Sequence, residues 1–245
     1  MLIIGSFVSP YVRKVLACLE LKGLSYRVDP ITPFFGGDEF SRLSPLRRIP
    51  VLVDGDFVLN DSSAIAAYID EIAPAPPLMP THPKDRAQAR WLEEYADSRL
   101  GDIFIWGLFY QLFVRRMVWN EEPDADRVAR ARDRDAPAAL DYLETQAPME
   151  GFLLGTIGIA DIAIASFFRN AATVDYCIDA ARWRRTAAWV EATLAHPVLA
   201  RLGEWERIQL SASIPKRREA LTLAGAPLSE SSVAAREPRR GVMPL

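Results

Sequence analysis

Ile49-Pro50-Val51-Leu52-Val53-Asp54-Gly55-Asp56-Phe57-Val58-Leu59-Asn60-Asp61-Ser62-Ser63 decides how this chain folds. Two short apolar runs, Val51-Leu52-Val53 and Phe57-Val58-Leu59, flank Asp54-Gly55, a dipeptide that readily takes the positive φ of a two-residue hairpin turn. Pro50 opens the first run, one of the few places where a sheet tolerates a residue with no N–H. Asp61-Ser62-Ser63 supplies helix-cap side chains, and Ile65, Ile69 and Ile72 then recur at helical spacing. The stretch predicts strand, tight turn, strand, helix. A helix reached directly from a strand presents unpaired N–H groups and a positive dipole end, which together seat an anion such as a carboxylate.

Upstream, Leu2-Ile3-Ile4 is an apolar run suited to a buried first strand. Ser9-Pro10 follows as N-cap and first helical residue; the N–H that proline lacks is one a helix start cannot pair anyway. Val12, Val15, Leu16 and Leu19 mark one helix face, and Gly23 is a C-terminal stop. Residues 25–30 supply a second strand. The order is strand–helix–strand, then strand–strand–helix.

That order, with Ile49-Pro50 and Asp61-Ser62, resembles the thioredoxin-like N-terminal domain (βαβ–ββα) of cytosolic glutathione transferases. Ser9-Pro10-Tyr11-Val12-Arg13-Lys14-Val15 with Glu20-Leu21-Lys22-Gly23-Leu24 resembles the first helix of serine- or cysteine-type, bacterial-style members. The resemblance implies a cis proline at Pro50, with the backbone of Ile49 pairing with the cysteinyl part of glutathione. It implies that Asp61-Ser62 grips the γ-glutamyl carboxylate, Asp61 being one methylene shorter than the family's usual Glu. A second mark is Gly158-Ile159-Ala160-Asp161, where the family has Ser or Thr three residues before the Asp as half of a capping box. Gly158 lacks that hydroxyl, and Asp161 is expected to be structural.

The whole chain agrees with this layout. Its 245 residues suffice for two domains, and a composition half hydrophobic and a quarter charged is that of a globular protein. A net charge of −3 gives no basic footprint for nucleic acid. The densest apolar stretch, 103–118, is broken by Gln111, Arg115 and Arg116 and falls short of the roughly 20 residues a membrane span needs. No signal segment is visible, and Cys18 and Cys177 form no local metal or redox motif, so reduced thiols and a cytoplasmic location are expected, with no metal.

Pro74, Pro76, Pro77, Pro80 and Pro83 mark a linker at 74–83 after the thioredoxin-like domain at 1–73. Residues 84–212 read as an all-helical domain with helices at 84–119 (bent near Gly101 or Gly107), 124–146, 159–177, 183–194 and 198–210. Residues 213–245 carry six basic residues against three acidic ones, four prolines and little apolar period, the composition of a mobile tail or, alternatively, a lid.

The resemblance places the chemistry on Ser9. A thiol ionises at about 8.5, so at neutral pH it is a weak nucleophile. A hydroxyl donating to sulfur at a helix N-terminus favours the thiolate. Ser6 is the backup, and Tyr11 is weaker. Arg48 is the candidate for the glycyl carboxylate through a charge-assisted bond, while Arg47 stands where the family has a small residue. Trp106, Tyr110 and Phe113 share a helix face, and with Phe7 they are the expected wall of a hydrophobic pocket for the second substrate between the domains. The implied function is a homodimeric glutathione transferase of detoxification type, using glutathione as co-substrate against a hydrophobic electrophile or an organic hydroperoxide. Glutathione-dependent isomerase, dehalogenase or etherase chemistry, and a non-catalytic binding or regulatory role, stay open.

Overall fold

The structure, a computed structural model, describes residues 1–241, apart from the side chains of residues 214 and 215. The apolar runs of the N-terminal third become four strands: β1 (Leu2–Ile4), β2 (Arg27–Asp29), β3 (Val51–Asp54) and β4 (Phe57–Asn60). They form one sheet in the order β2-β1-β3-β4, with β2 parallel to β1 and the other neighbours antiparallel. Helices α1 (Pro10–Leu21), α2 (Asp38–Leu43) and α3 (Ser62–Ile72) complete the thioredoxin-like domain, with a short 3₁₀ turn at Pro33–Phe35. Val12, Val15, Leu16 and Leu19 of α1 are fully buried, as their spacing requires. α1 stops where Gly23 turns left-handed at φ 64°, with Gly23 N–H donating to Glu20 O and Leu24 N–H to Leu19 O. That pair of bonds satisfies the carbonyls a helix end otherwise leaves open.

Two local readings need correcting. The hairpin loop consists of Gly55 and Asp56, because Asp54 pairs with Phe57 and therefore belongs to the strands. Gly55 supplies the positive φ (61°) at the first loop position, where a backbone matched to the strand twist demands glycine. Ile72, third in the periodic set of α3, is exposed because the helix ends there, whereas Ile65 and Ile69 are buried. Helix α2 went unread; its signal is Asp38-Glu39 in the first turn, with Phe40 fully buried.

The chain divides into two compact units, and the division differs from the expected one. The first unit is Met1–Pro76 together with Pro197–Leu245, the second Pro77–His196. Helix α9 (Pro197–Ser211) thus belongs with the sheet and not with the other helices. The reason is its buried stripe: Trp205 lies 5.5 Å from the Phe7 ring, and Glu206 pairs with Arg13 of α1 at 2.8 Å. The stretch after it is also held, contrary to a mobile tail. Helix α10 (Ile214–Leu223) follows; residues 227–229 then pair with the open edge of β2 at Val28, and residues 233–239 pair with the segment at 34–37. Val28 N–H donates to Pro227 O (2.7 Å), Ser229 N–H to Val28 O (2.9 Å) and Gly37 N–H to Val233 O (2.8 Å). An unpaired strand edge satisfied by the chain's own terminus explains why a polar, proline-rich sequence is ordered here. The expected tail's last residues, 242–245, lie outside the described residues.

The second unit is helical. α4 (Pro83–Tyr95) runs on into a more widely wound π-helical segment, Ala96–Trp119, which ends at a left-handed Asn120. α5 (Ala125–Arg130), a π turn at Ala131–Asp135 and α6 (Ala136–Gln146) fill the expected 124–146 helix. α7 (Ile159–Thr173) and α8 (Arg184–Ala195) follow. Gly107 has a packing role: a Cβ there would come within 2.6 Å of the Ala131 Cβ, so glycine lets the two segments approach. Asp161 accepts from the amides of Gly158 (2.9 Å) and Leu153 (2.8 Å) and from Trp189 Nε1 (2.6 Å), which confirms a structural cap at the start of α7. Burial pushes its carboxyl upward despite these bonds.

Candidate active site

Strand register assembles the site. Ile4 pairs with Val51, and Val51 pairs with Asn60. One residue further, Gly5, Pro50 and Asp61 lie side by side at one end of the sheet. Both α1 and α3 start there, so two helix N-termini and the opening of β3 face one place. Gly5 makes the convergence possible: its φ is 156°, and a Cβ would meet Val12 Cγ2 at 2.5 Å and Ile49 Cβ at 3.2 Å. The Ile49–Pro50 peptide is cis.

Ser9 is the N-cap of α1, in extended conformation, and its Oγ accepts Val12 N–H at a long 3.4 Å. Its own O–H donates to no partner among the described residues, and the side chain is half-buried. Ser6, in contrast, is 2% exposed, its Oγ accepts Val8 N–H (3.1 Å) and its carbonyl accepts Ser9 N–H (3.0 Å). Ser6 folds the loop on which Ser9 stands.

At the second helix start, Asp61 and Ser62 divide their roles. Asp61 is the N-cap of α3, held at φ 76°, and its Oδ1 accepts the amides of Ser63 and Ala64, both at 3.0 Å. Ser62, 4% exposed, is the first helical residue, and its hydroxyl has no partner among the described residues. Fully buried Lys14 donates from Nζ to Ser63 Oγ (3.0 Å), tying α1 to the first turn of α3.

The two arginines before the cis proline are not equivalent. Arg47, at φ 51°, turns inward: its guanidinium donates to Gly36 O (3.0 Å), Pro33 O (3.3 Å) and Ser41 Oγ, and lies over the Phe40 ring. It builds the loop around α2. Arg48 is exposed, and Ser44 fixes its backbone by accepting Arg48 N–H (2.9 Å) and donating to Arg48 O (2.8 Å).

The four expected pocket residues separate. The Phe7 ring is 1% exposed and packs on Trp205, so it is core of the first unit and not an open wall. Tyr110 is likewise buried in the second unit, its ring tilted against that of Trp106 at 5.6 Å. Trp106 and Phe113 are half-buried, Phe113 stacking on Phe109 at 5.1 Å. Aromatic periodicity alone does not tell a core residue from a wall residue. Three further buried polar residues, Arg13, Glu206 and Gln209, lie near the Ser9 loop, and the sequence does not mark them as site residues. Their signal is polar side chains on otherwise apolar helix stripes, at 206 and 209 beside Leu202 and Trp205. Among the described residues no group of His, Cys, Asp and Glu is placed to hold a metal ion.

A family model for the glutathione S-transferase N-terminal domain matches residues 3–77. The chain is 43% identical over 77 residues to glutathione S-transferase Z1 of Arabidopsis thaliana, covering 30% of this chain and 35% of that protein. A stringent starvation protein A homolog of Haemophilus ducreyi is 41% identical over 80 residues, covering 33% and 37%. These matches span little more than a third of those relatives' length. A solved glutathione S-transferase of Methylobacterium radiotolerans, in complex with glutathione sulfonate, superposes with a TM-score of 0.66 at 25% identity, covering 81% of this chain and 92% of that one. The Escherichia coli GST-like protein YibF is 30% identical over 187 residues, 73% of this chain and 88% of that protein. With the cis proline, the capped α3 and the four-stranded sheet, this breadth of similarity shows that the chain belongs to the glutathione S-transferase family.

Proposed function

We propose that the protein binds glutathione at the common end of β1, β3 and β4 and activates its thiol for attack on a hydrophobic electrophile or an organic hydroperoxide. The observation that carries this reading is the Ser9 hydroxyl, loosely held as a cap and free to donate, at the start of a 12-residue helix. The thiol proton leaves to solvent, and Ser9 O–H donates to the sulfur anion without losing its own proton. With a carbon electrophile the anion then forms a C–S bond while the leaving group departs with its electron pair. With a hydroperoxide it takes the terminal oxygen as the O–O bond breaks, and the alkoxide picks up a proton from solvent. A second glutathione then converts the sulfenic acid to disulfide and water. A thiol pKa lowered by about two units corresponds to roughly 2.7 kcal/mol, within reach of one charge-assisted bond plus a helix end. The γ-glutamyl carboxylate sits at the α3 N-terminus against Ser62, the cysteinyl backbone pairs with Ile49, and Arg48 meets the glycyl carboxylate. Half-buried Trp106 and Phe113 contribute apolar wall.

The reading includes a homodimer, supported by apolar Phe57 and Val58 exposed on edge strand β4. Calorimetric titration of glutathione into wild-type protein, followed by conjugation of a chlorodinitrobenzene, tests it; no binding would overturn it. A non-catalytic binding protein is the second reading; the N-terminal domain is also similar to a relative named for stringent starvation and not for a transferase activity. Binding with no depressed thiol pKa would select it.

A further inference from the structure

The loop from Ser6 to Ser9 has little backbone pairing of its own, and its polar groups go mainly to side chains. Val8 N–H goes to Ser6 Oγ (3.1 Å), and Val8 O accepts from Arg13 Nη2 (3.3 Å). Phe7 N–H is the exception to this local pattern. It donates across the fold to Gln209 Oε1 at 2.8 Å, while Gln209 Nε2 donates to Pro30 O at 2.9 Å. Gln209 is 2% exposed, on the stripe of α9 that also carries Glu206 and Trp205. One side-chain amide therefore joins the loop leaving β1 to the segment leaving β2, two residues upstream of Ser9. A buried amide pairing two backbone groups in a dry site is strongly oriented, because any shift leaves a buried N–H or C=O unpaired. Neighbouring Glu206 braces the same loop through Arg13.

We propose that Gln209 is a positioning residue for Ser9: by pinning the Phe7 amide to the end of β2 it fixes where the Ser9 hydroxyl points. This rests on the reading of Ser9 as thiolate activator. Such geometry matters out of proportion to its size, since a displacement of about 1 Å from outside the reacting groups can cost on the order of a hundredfold in rate. Gln209 touches neither glutathione nor the electrophile. Its role is expressed in turnover and thiol ionisation, not in glutathione affinity, which belongs to Ser62, Ile49 and Arg48.

The test compares the full-length wild type with Gln209→Met, which keeps the length and removes both bonds. The expected result is a glutathione dissociation constant within about twofold of wild type, a turnover number lower by about tenfold, and a bound-thiol pKa raised by about one unit, a tenfold smaller thiolate equilibrium. A merely structural glutamine would lower thermal stability and leave the pKa of bound thiol where it was; that result overturns the inference alone. Wild-type protein that binds glutathione without depressing its pKa overturns the reading of Ser9 and this inference with it. Amide hydrogen exchange on wild type decides the matter should Gln209→Met not fold. Phe7 N–H is expected to exchange as slowly as the buried turns of α9, and exchange at the rate of an open loop would contradict the pin.

Discussion

The Asp61 carboxylate accepts the backbone N–H of Ala64 at 3.0 Å, closing the first turn of α3, while the neighbouring Ser62 hydroxyl has no partner among the described residues. The acidic residue makes the helix start, and the serine is what that start can offer an anion. Asp61→Ala should therefore cost about 1 kcal/mol of stability through loss of the cap. Ser62→Ala should leave the urea midpoint nearly unchanged and weaken glutathione binding by roughly 1–2 kcal/mol. Calorimetry and urea unfolding on both variants check the division, and an unaltered glutathione affinity in Ser62→Ala would contradict a carboxylate seat there.

Arg47 and Arg48 should separate in the same two assays. The Arg47 guanidinium is bonded to two carbonyls and a hydroxyl around α2, so Arg47→Ala should destabilise the protein by about 1–3 kcal/mol. Arg48 is exposed, and an exposed ion pair contributes about 0.2–1 kcal/mol and is screened by salt. Arg48→Ala should weaken glutathione binding by that amount at low ionic strength, with the difference from wild type vanishing in high salt. A salt-independent loss would assign Arg48 a different role.

The N-terminal fold was legible because every signal in it is local. Strand runs, the Ser9-Pro10 cap, Pro50 and the Asp61 cap each act within a few residues, and the family resemblance ordered them. The hairpin loop shifted by one residue because Asp54-Gly55 and Gly55-Asp56 are equally good turn pairs until strand pairing chooses. What sequence could not carry is partnership at long range: that α9 returns to α1, that residues 227–229 cover the β2 edge and 233–239 pair with 34–37, and that Phe7 and Tyr110 are core while Trp106 and Phe113 stay partly open. An apolar stripe states that a face is buried, not against what.

The covered β2 edge gives a further prediction. Ending the chain after Gly225 removes the Pro227, Ser229 and Val233 backbone bonds and the Arg239–Asp38 pair (2.5 Å). It also strips the Val233 N–H from buried Asp29 Oδ2 (2.8 Å). The truncated protein should melt several degrees lower and aggregate more readily through the bare strand edge, by about 4 °C or less per kcal/mol lost for a chain this long. Differential scanning calorimetry with light scattering reads both, and an unchanged midpoint would show that the segment adds nothing to the fold.

Glu144 provides a pH dependence with a definite sign. From the end of α6 it caps α8, accepting Arg185 N–H (3.0 Å), Thr186 N–H (2.9 Å) and Thr186 Oγ–H (2.7 Å). Burial raises its carboxyl, but the bonds from Thr186 and Arg185 outweigh it, and the net shift is downward. A carboxylate whose folded pKa lies below its unfolded value contributes stability above the unfolded pKa and loses it as pH falls through the folded one. Glu144→Gln should thus be less stable than wild type at neutral pH by about 1 kcal/mol, the difference shrinking through the acid range below the ordinary glutamate pKa. A difference independent of pH would remove the charge from the cap's contribution.

The central claim, that Ser9 holds glutathione as its thiolate, is tested most directly by titrating thiolate ultraviolet absorbance against pH for glutathione bound to wild type and to Ser9→Ala. The prediction is a bound-thiol pKa about two units below the usual value near 8.5 in wild type, returning towards it in the variant while glutathione still binds. A bound-thiol pKa that is ordinary in wild type, or equally depressed in both proteins, would contradict it.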